Sequence, residues 1–417
     1  MSDDLLSLAS RCIRCGFCQD ACPTYKLTAS ETASPRGRIR LMVSVTGEGK
    51  SLTPDLIHAM DLCLGCRACE TACPSGVEYG RMLEIFRHRI EASSARPRVQ
   101  HASKAGLIAM MERPAAFAAS LKIAAGARRV SGNDPIPSPI VRAITGGKAD
   151  QLLMPTADLP ESTSPLPEIS PASGKRRHTV AILPGCVMQV LYDRVHRATI
   201  RVLQKVGCDV LAPRALGCCG ALDIHAGFLS SGLERARAFL RTLQTLDYDA
   251  FVVNSAGCGS TLTEYGDLLA DDPVHSYEAR TFAAKVVDIS TFLDDHGPLS
   301  FTGRFERTVA YHHACHLAHG QRVVEPPRRL LEQVPGLRLV PLAESDLCCG
   351  SAGTYNITQP DMAKRLLDRK VDNILKTGAE IVAMGNPGCM AWIQTGLQER
   401  GSAVRIMHTV EIVDAAL

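Results

Sequence analysis

The sequence predicts a multidomain protein: a mostly α-helical, cysteine-dense N-terminal domain followed by two pseudo-symmetric α/β modules. Three observations carry that prediction. Of the 17 cysteines, eight lie between Cys12 and Cys73, and none follows until Cys186. The other nine are spread over the C-terminal part, where the chain repeats itself at an offset of 129–131 residues. Between these parts, residues 130–174 are rich in Pro, Ser and Gly with little periodic apolar content, which reads as a linker or loosely packed strap.

The bulk numbers narrow the class. An odd number of cysteines rules out complete disulfide pairing. The start "MSDDLLSLAS" has no basic n-region and no apolar run after it, so no secretory signal is expected. Cysteine richness without export points to thiols kept reduced for metal in the cytosol. A net charge of +3 gives no strong preference for nucleic acid. No uncharged apolar window is long enough for a spanning helix.

In the N-terminal part the helix signals are local. "SPRGRIRLMVSV" offers Ser34 as N-cap with Pro35 at the first helical position, and "TPDLIHAMDLC" repeats the device with Thr53 and Pro54. "YGRMLEIFRHRIEA" has the pattern of a third, amphipathic helix, and no convincing strand precedes residue 100.

Two cysteine runs sit among these helices. "CIRCGFCQDACP" supplies Cys12, Cys15, Cys18 and Cys22, and "CLGCRACETACP" supplies Cys63, Cys66, Cys69 and Cys73. Both have the spacing C-x2-C-x2-C-x3-C-P of bacterial two-cluster ferredoxins. Three closely spaced thiolates wrap three corners of a cubane, and the fourth is carried away to complete the other one. Cys12, Cys15, Cys18 and Cys73 are therefore expected to hold one [4Fe-4S] cluster, and Cys63, Cys66, Cys69 and Cys22 a second. Structural zinc would need only four thiolates and would leave the third cysteine and the proline of each run unexplained.

In the C-terminal part, "HTVAILPGC" matches "RTVAYHHAC", "LGCCG" matches "DLCCG", and "DAFVVNSAGCGS" matches "EIVAMGNPGCMA". Alternating strand and helix lengths predict βαβ units with a parallel sheet in each copy. Every repeat cysteine then falls at or beyond the carboxyl end of a strand, where such sheets bind ligands, around a site the two halves share. Each copy supplies four thiols: Cys186, Cys218, Cys219 and Cys258, then Cys315, Cys348, Cys349 and Cys389. Cys208 is left over as a small apolar residue. Gly220 and Gly350 permit the backbone angles that turn two adjacent thiols toward one centre. Two metal sites, or one site and a degenerate copy, both fit this pattern.

This arrangement resembles the cysteine-rich CCG domain of heterodisulfide reductase subunits and related electron-transfer proteins. The resemblance implies a non-cubane iron–sulfur cluster bridged by adjacent cysteines in at least one module. Thr261 and Trp392 stand where the fuller pattern has one more cysteine, so zinc, an empty thiol site and a redox disulfide stay open.

Over nearly all its length the chain resembles the iron–sulfur subunits of bacterial glycolate oxidases, through "CGFCQDACPTY", "SPRGRIRL", "CETACPSGV", "LGCCGALDIH", "SAGCGSTLTEYG" and "LCCGSAGTY". The iron–sulfur subunit of anaerobic glycerol-3-phosphate dehydrogenase shares the architecture and is the alternative, with a (D-)lactate dehydrogenase complex or a heterodisulfide reductase-like enzyme beside it. The resemblance implies a two-cluster ferredoxin-type domain (1–95), a basic helical segment and Pro-rich linker (96–174) and two CCG modules (175–300 and 301–417). It also implies an FAD-binding catalytic subunit that oxidises glycolate to glyoxylate, a second FAD-domain subunit, a quinone or other acceptor, and a peripheral place on the cytoplasmic face of the inner membrane. The chain itself has no G-x-G-x-x-G, G-x-x-x-x-G-K-[ST] or G-x-S-x-G, so flavin and substrate belong on other polypeptides and no catalytic residue is assigned here. A metal-stabilised scaffold for flavin subunits is the non-enzymatic alternative.

Three lesser features leave two readings each. His312, His313, His316 and His319 surround Cys315 as ligands, proton relays or, more simply, packing and outer-shell partners. Arg36, Arg38 and Arg40 either raise the potential of a nearby cluster or are solvated. Residues 96–129 carry seven basic residues against Glu112, as a membrane- or partner-facing surface or as two helices with solvated basic faces.

Overall fold

The structure is a computed structural model and describes residues 2–131, 164–296 and 299–417. Most of the Pro-rich stretch 130–174 lies outside the described residues.

The first 131 residues are helical wherever they are regular. Ser34 caps the helix Pro35–Thr46 by accepting from the Gly37 N–H, and Thr53 caps Pro54–Asp61 by accepting from Leu56 N–H. Leu5, Met42, Met60, Met82, Leu83 and Phe86 from four helices close a small apolar core. The two basic helices, Arg98–Met111 and Pro114–Ser131, follow. Lys104 and Arg96 pair with buried Glu91, while Arg98, Arg113 and Lys122 are solvated. The segment is thus partly docked and partly an ordinary polar face.

Each module then forms one sheet. In the first, β2 (His178–Ile182), β3 (Cys208–Leu211), β4 (Ala250–Val253) and β5 (Val286–Asp288) run parallel in the order β3-β2-β4-β5. The short β1 (Ile169–Ser170) adds an antiparallel edge to β3. In the second, β6 (Thr308–Tyr311), β7 (Arg338–Val340), β8 (Ile381–Met384) and β9 (Arg405–His408) repeat the order as β7-β6-β8-β9. Cys208 is fully buried within β3, as a small apolar residue should be.

Strand alternation sends the two faces of each sheet to different cores. Val180, Ile182, Val252, Ala310, Val382 and Met384 point into one core common to both modules. Ala181, Phe251 and Val253 face a separate cluster on the far side of the first sheet, and Val309, Tyr311 and Ile381 one on the far side of the second. Arg194–Glu411 (2.8 Å) and Arg201–Asp414 (2.5 Å) link the modules' helices at the surface. The carboxyl ends of the strands meet: Ala256 N–H donates to the Gly385 carbonyl, Gly257 N–H to Asn386 Oδ1, and His408 Nε2 lies 3.0 Å from the Asn254 carbonyl.

Candidate metal centres

The first cysteine run leaves the helix Ser2–Ser10 as an open loop, and Arg14 (φ 61°) and Gly16 (φ 94°) bend it through the left-handed region. This bend brings Cys12, Cys15 and Cys18 onto one pocket of about 30 Å³, with Cys73 of the second run completing its wall. Cys69 also reaches that wall. Cys15 is exposed, and Ile13 and Phe17 beside it are 69% and 62% exposed.

The other four thiols, Cys22, Cys63, Cys66 and Cys69, are buried. Burial pushes Cys66 and Cys69 well above the ordinary thiol range, with neighbouring thiolates Cys63 and Cys22 adding to the effect. Cys63 differs: burial would raise it, but the guanidinium charges of Arg38 and Arg87, with hydrogen bonds from Gly65 N–H (3.4 Å) and the Tyr79 hydroxyl, together hold it lower. Arg38 is wholly buried and held by the Ala59 carbonyl (2.7 Å) and Thr24 Oγ1 (3.2 Å). Arg36 instead pairs with Glu31, and Arg40 with Glu48 at the surface. The three arginines of one helix therefore divide: Arg36 lines the first pocket beside Cys18, Arg38 is buried against Cys63 and Cys22, and Arg40 stays at the surface.

The second run is gripped by both modules. His316 Nε2 lies 3.1 Å from the Gly65 carbonyl, the Tyr355 hydroxyl donates to Leu62 (3.0 Å), and His319 Nδ1 lies 3.0 Å from Thr71 Oγ1. Arg67 pairs with Glu264, and Arg87 joins the Cys63 carbonyl (2.6 Å) to that of His225 (2.8 Å). Cys66 consequently sits in electrostatic contact with Cys315 and Cys348.

All eight repeat thiols, with Cys63, line one cavity of about 680 Å³ at the facing carboxyl ends of the two sheets. The sequence placed them there by strand order, and the fold does so in detail. Cys186 and Cys315 precede short helical turns, and Cys258 and Cys389 lie in the first turn of the helices Ala256–Thr263 and Pro387–Glu399. The adjacent pairs depend on the glycine after them. Gly220 (φ 74°) and Gly350 (φ 92°) are left-handed, and a Cβ there would lie 2.8 Å from the Gly232 carbonyl oxygen or 2.7 Å from that of Ala363. Only glycine lets the turn fit under the following helix.

The thiols share protons. Cys186 and Cys218 sulfurs are 3.8 Å apart; the shared hydrogen bond and burial push Cys186 up, while hydrogen bonds from Cys186, Cys219 and Gly220 N–H hold Cys218 well below the ordinary range. In the second module the Cys315–Cys348 hydrogen bond, followed by burial, pushes Cys315 up. Asn386 Nδ2 reaches the Cys389 sulfur at 3.5 Å, as Ser255 Oγ reaches Cys258 at 3.5 Å. Clustered soft thiols with few other ligand types suit iron–sulfur clusters or zinc. Thr261 bonds His225, and Trp392 is buried in the shared core.

Two functional-site residues were not evident in the sequence. Glu112, the lone acid of a basic segment, is buried with Oε1 3.7 Å from the Cys218 sulfur and Oε2 2.6 Å from Arg235. Burial, then Cys218 and Asp223, outweigh Arg235 and raise its pKa to about 9. Lys370, also fully buried, is the cation of the second thiol set. Neither has a spacing signal, because each arrives from a different helix.

Comparison with known proteins follows this division of the chain. A family model described as a 4Fe-4S dicluster domain matches residues 8–77, and one described as a cysteine-rich domain matches residues 180–263 and 309–394. The chain is 34% identical to the probable glycolate oxidase iron-sulfur subunit of Bacillus subtilis (strain 168), covering 96% of this chain and 92% of that one. It is 34% identical to the glycolate oxidase iron-sulfur subunit of Escherichia coli (strain K12), covering 99% and 95%. Lactate utilization protein A of Exiguobacterium is 31% identical over 56% of this chain and 96% of its own. The crystal structure of a hypothetical protein from Helicobacter pylori shares the fold at 8% identity, with a TM-score of 0.56 over 93% of this chain and 68% of that one.

Proposed function

The chain belongs to the family of glycolate oxidase iron–sulfur subunits, and on that premise we propose that it is the electron-transfer subunit of a glycolate-oxidising complex. It takes electrons from the FAD of a catalytic partner, with a second FAD-domain subunit alongside, and passes them toward a quinone or other acceptor while glycolate becomes glyoxylate. Cys12, Cys15, Cys18 and Cys73 hold one [4Fe-4S] cluster, and Cys63, Cys66, Cys69 and Cys22 the other; when bound, these supply one-electron carriers. The donor sets fit: each is four thiols, the first converging on one pocket and the second buried beside Arg38 and Arg87.

One observation carries the reading of a continuous conductor rather than three separate sites. The loop bearing Cys63 and Cys66 is inserted between the two modules, so that Cys63 shares a cavity with all eight repeat thiols. The exposed end lies at Cys15, between Ile13 and Phe17, which suits the docking of a flavoprotein. No helix among the described residues is long and apolar enough to cross a membrane. Contact with a quinone-bearing membrane would be peripheral, on the cytoplasmic face.

The resemblance to lactate utilization protein A favours lactate as a second reading of the 2-hydroxy acid. The test is dye reduction by the reconstituted complex with Cys218, Cys219, Cys348 and Cys349 changed in turn to serine. Loss of turnover with the partners still bound supports a conductor, and loss of assembly alone supports a scaffold. Turnover by the isolated chain would contradict the division of labour.

A further inference from the structure

The two modules repeat each other in backbone, so a difference between their thiol sites is informative. Three residues before the first repeat cysteine stands Leu183 in one module and His312 in the other. The helices behind the cysteine pairs superpose through Gly220 on Gly232 and Gly350 on Ala363, and seven residues further on Phe239 corresponds to Lys370. In the first module Leu183 and Phe239 share an apolar cluster with Cys219. In the second, His312 and Lys370 are both 0% exposed. Burying an imidazole and an ammonium is unfavourable unless their polar atoms are engaged, so an apolar alternative that the same chain uses elsewhere has been forgone at this place.

Most of these polar atoms are engaged by backbone. Lys370 Nζ donates to the Glu344 and Ser345 carbonyls. His312 Nδ1 lies 2.8 Å from the Ser345 carbonyl, which fixes the proton on Nδ1 and leaves a lone pair on Nε2. That Nε2 is buried and has no hydrogen-bond partner. A ring nitrogen of His312 lies with the Cys349 and Cys389 sulfurs within 4.8 Å of one another, and Nε2 is the nitrogen left free to bind. One ion bound to a nitrogen at about 2.1 Å and a sulfur at about 2.3 Å spans up to about 4.4 Å, so small side-chain movements close the set. An Nδ1–H···O=C anchor is also the arrangement that orients metal-bound histidines.

We propose that His312 Nε2 is a metal ligand of the second module, beside Cys349 and Cys389, so that this centre has a mixed nitrogen–thiolate set while the first module's has thiolates only. This rests on the reading that the second module holds a metal centre at all, whether an iron of a cluster or a single zinc ion. Lys370, beside the Cys348 and Cys349 thiols, offsets the negative charge of such a set.

The test uses the full chain purified anaerobically, challenged with a chelator, alkylated over time and mapped by mass spectrometry, as wild type, His312→Leu and His312→Gln. The expected result is protection of Cys349 and Cys389 in the wild type, lost at least tenfold faster in both variants, while Cys218 and Cys219 and the eight N-terminal cysteines are unchanged. Equal protection of Cys349 and Cys389 in all three proteins overturns the ligand assignment and leaves the metal centre standing. Free Cys349 and Cys389 in the wild type overturn the centre itself, and with it the proposal. Should the variants unfold, exposing every cysteine, wild-type protein carrying 15N-histidine decides. An isotope-sensitive directly bound nitrogen at that centre, by pulsed EPR for iron or in the cobalt-substituted form for zinc, supports the proposal, and its absence overturns it.

Discussion

Removing the charge of Arg38 while keeping a polar side chain is the sharpest electrostatic perturbation available. The guanidinium is fully buried, anchored by Ala59 and Thr24, and set against Cys63 and Cys22. A cluster held there gains negative charge on reduction, so a fixed cation favours the reduced state and raises the potential. At an effective dielectric of about 20, a unit charge roughly 6–8 Å away contributes about 2–3 kcal/mol. With about 59 mV per factor of ten for one electron, that is on the order of 90–130 mV. Arg38→Gln is therefore expected to lower the potential of the centre bound by Cys63, Cys66, Cys69 and Cys22 by about that amount, as measured by an EPR-monitored redox titration. Arg38→Lys keeps the charge and loses the fork, so it should cost stability with little change in potential. An unchanged potential in Arg38→Gln, or equal shifts in both variants, would refute the reasoning.

Other outcomes follow from the same structure. Gly37→Ala would set a Cβ 1.9 Å from the Glu31 carbonyl oxygen at the start of the capped helix, and should cost several kcal/mol and lower iron content at the Cys12, Cys15, Cys18 and Cys73 site. Burial lowers both His196 and His408 to about 4, and Asn254 joins them across the module junction at 3.2 and 3.0 Å. Because the unfolded histidine takes its proton near 6.5, junction stability is intact above that pH and is lost as pH falls toward 4. At pH 5 the loss is about 2 kcal/mol per histidine, read as faster amide exchange around residues 250–262 and 405–416 after correction for intrinsic rates. His408→Gln should remove about half of that pH dependence, and a pH-independent junction would contradict the assignment.

Much of this was legible in the sequence because the signals were spacings. The two cysteine runs, the Ser34 and Thr53 caps and the repeat offset all express constraints between neighbours along the chain, and the pattern of parallel strands placed every repeat cysteine on the right edge. What was hidden depends on contacts between distant segments. β1 forms from two residues of a Pro-rich stretch because β3 offers a free edge, which nothing in "EISPASG" announces. Glu112 looks like an isolated acid until the helices carrying it and Arg235 are packed together. His312 is one of four histidines around Cys315, and only the missing partner of its Nε2 distinguishes it from His316 and His319, which bond the loop of the second cysteine run. Arg36, Arg38 and Arg40 alternate along one helix, and rotation decides that Arg36 meets the first thiol set, Arg38 the second and Arg40 only solvent and Glu48.

The central claim is that this chain carries the electrons of 2-hydroxy-acid oxidation. It is tested most directly by EPR on the complex purified anaerobically from its native source, before and after adding glycolate. The account predicts new reduced-cluster signals from this chain on adding glycolate, which disappear when the flavoprotein partner is removed. No such signals with glycolate, but signals with lactate or glycerol 3-phosphate, would contradict the assigned substrate, and silence with all three would contradict the electron-transfer role itself.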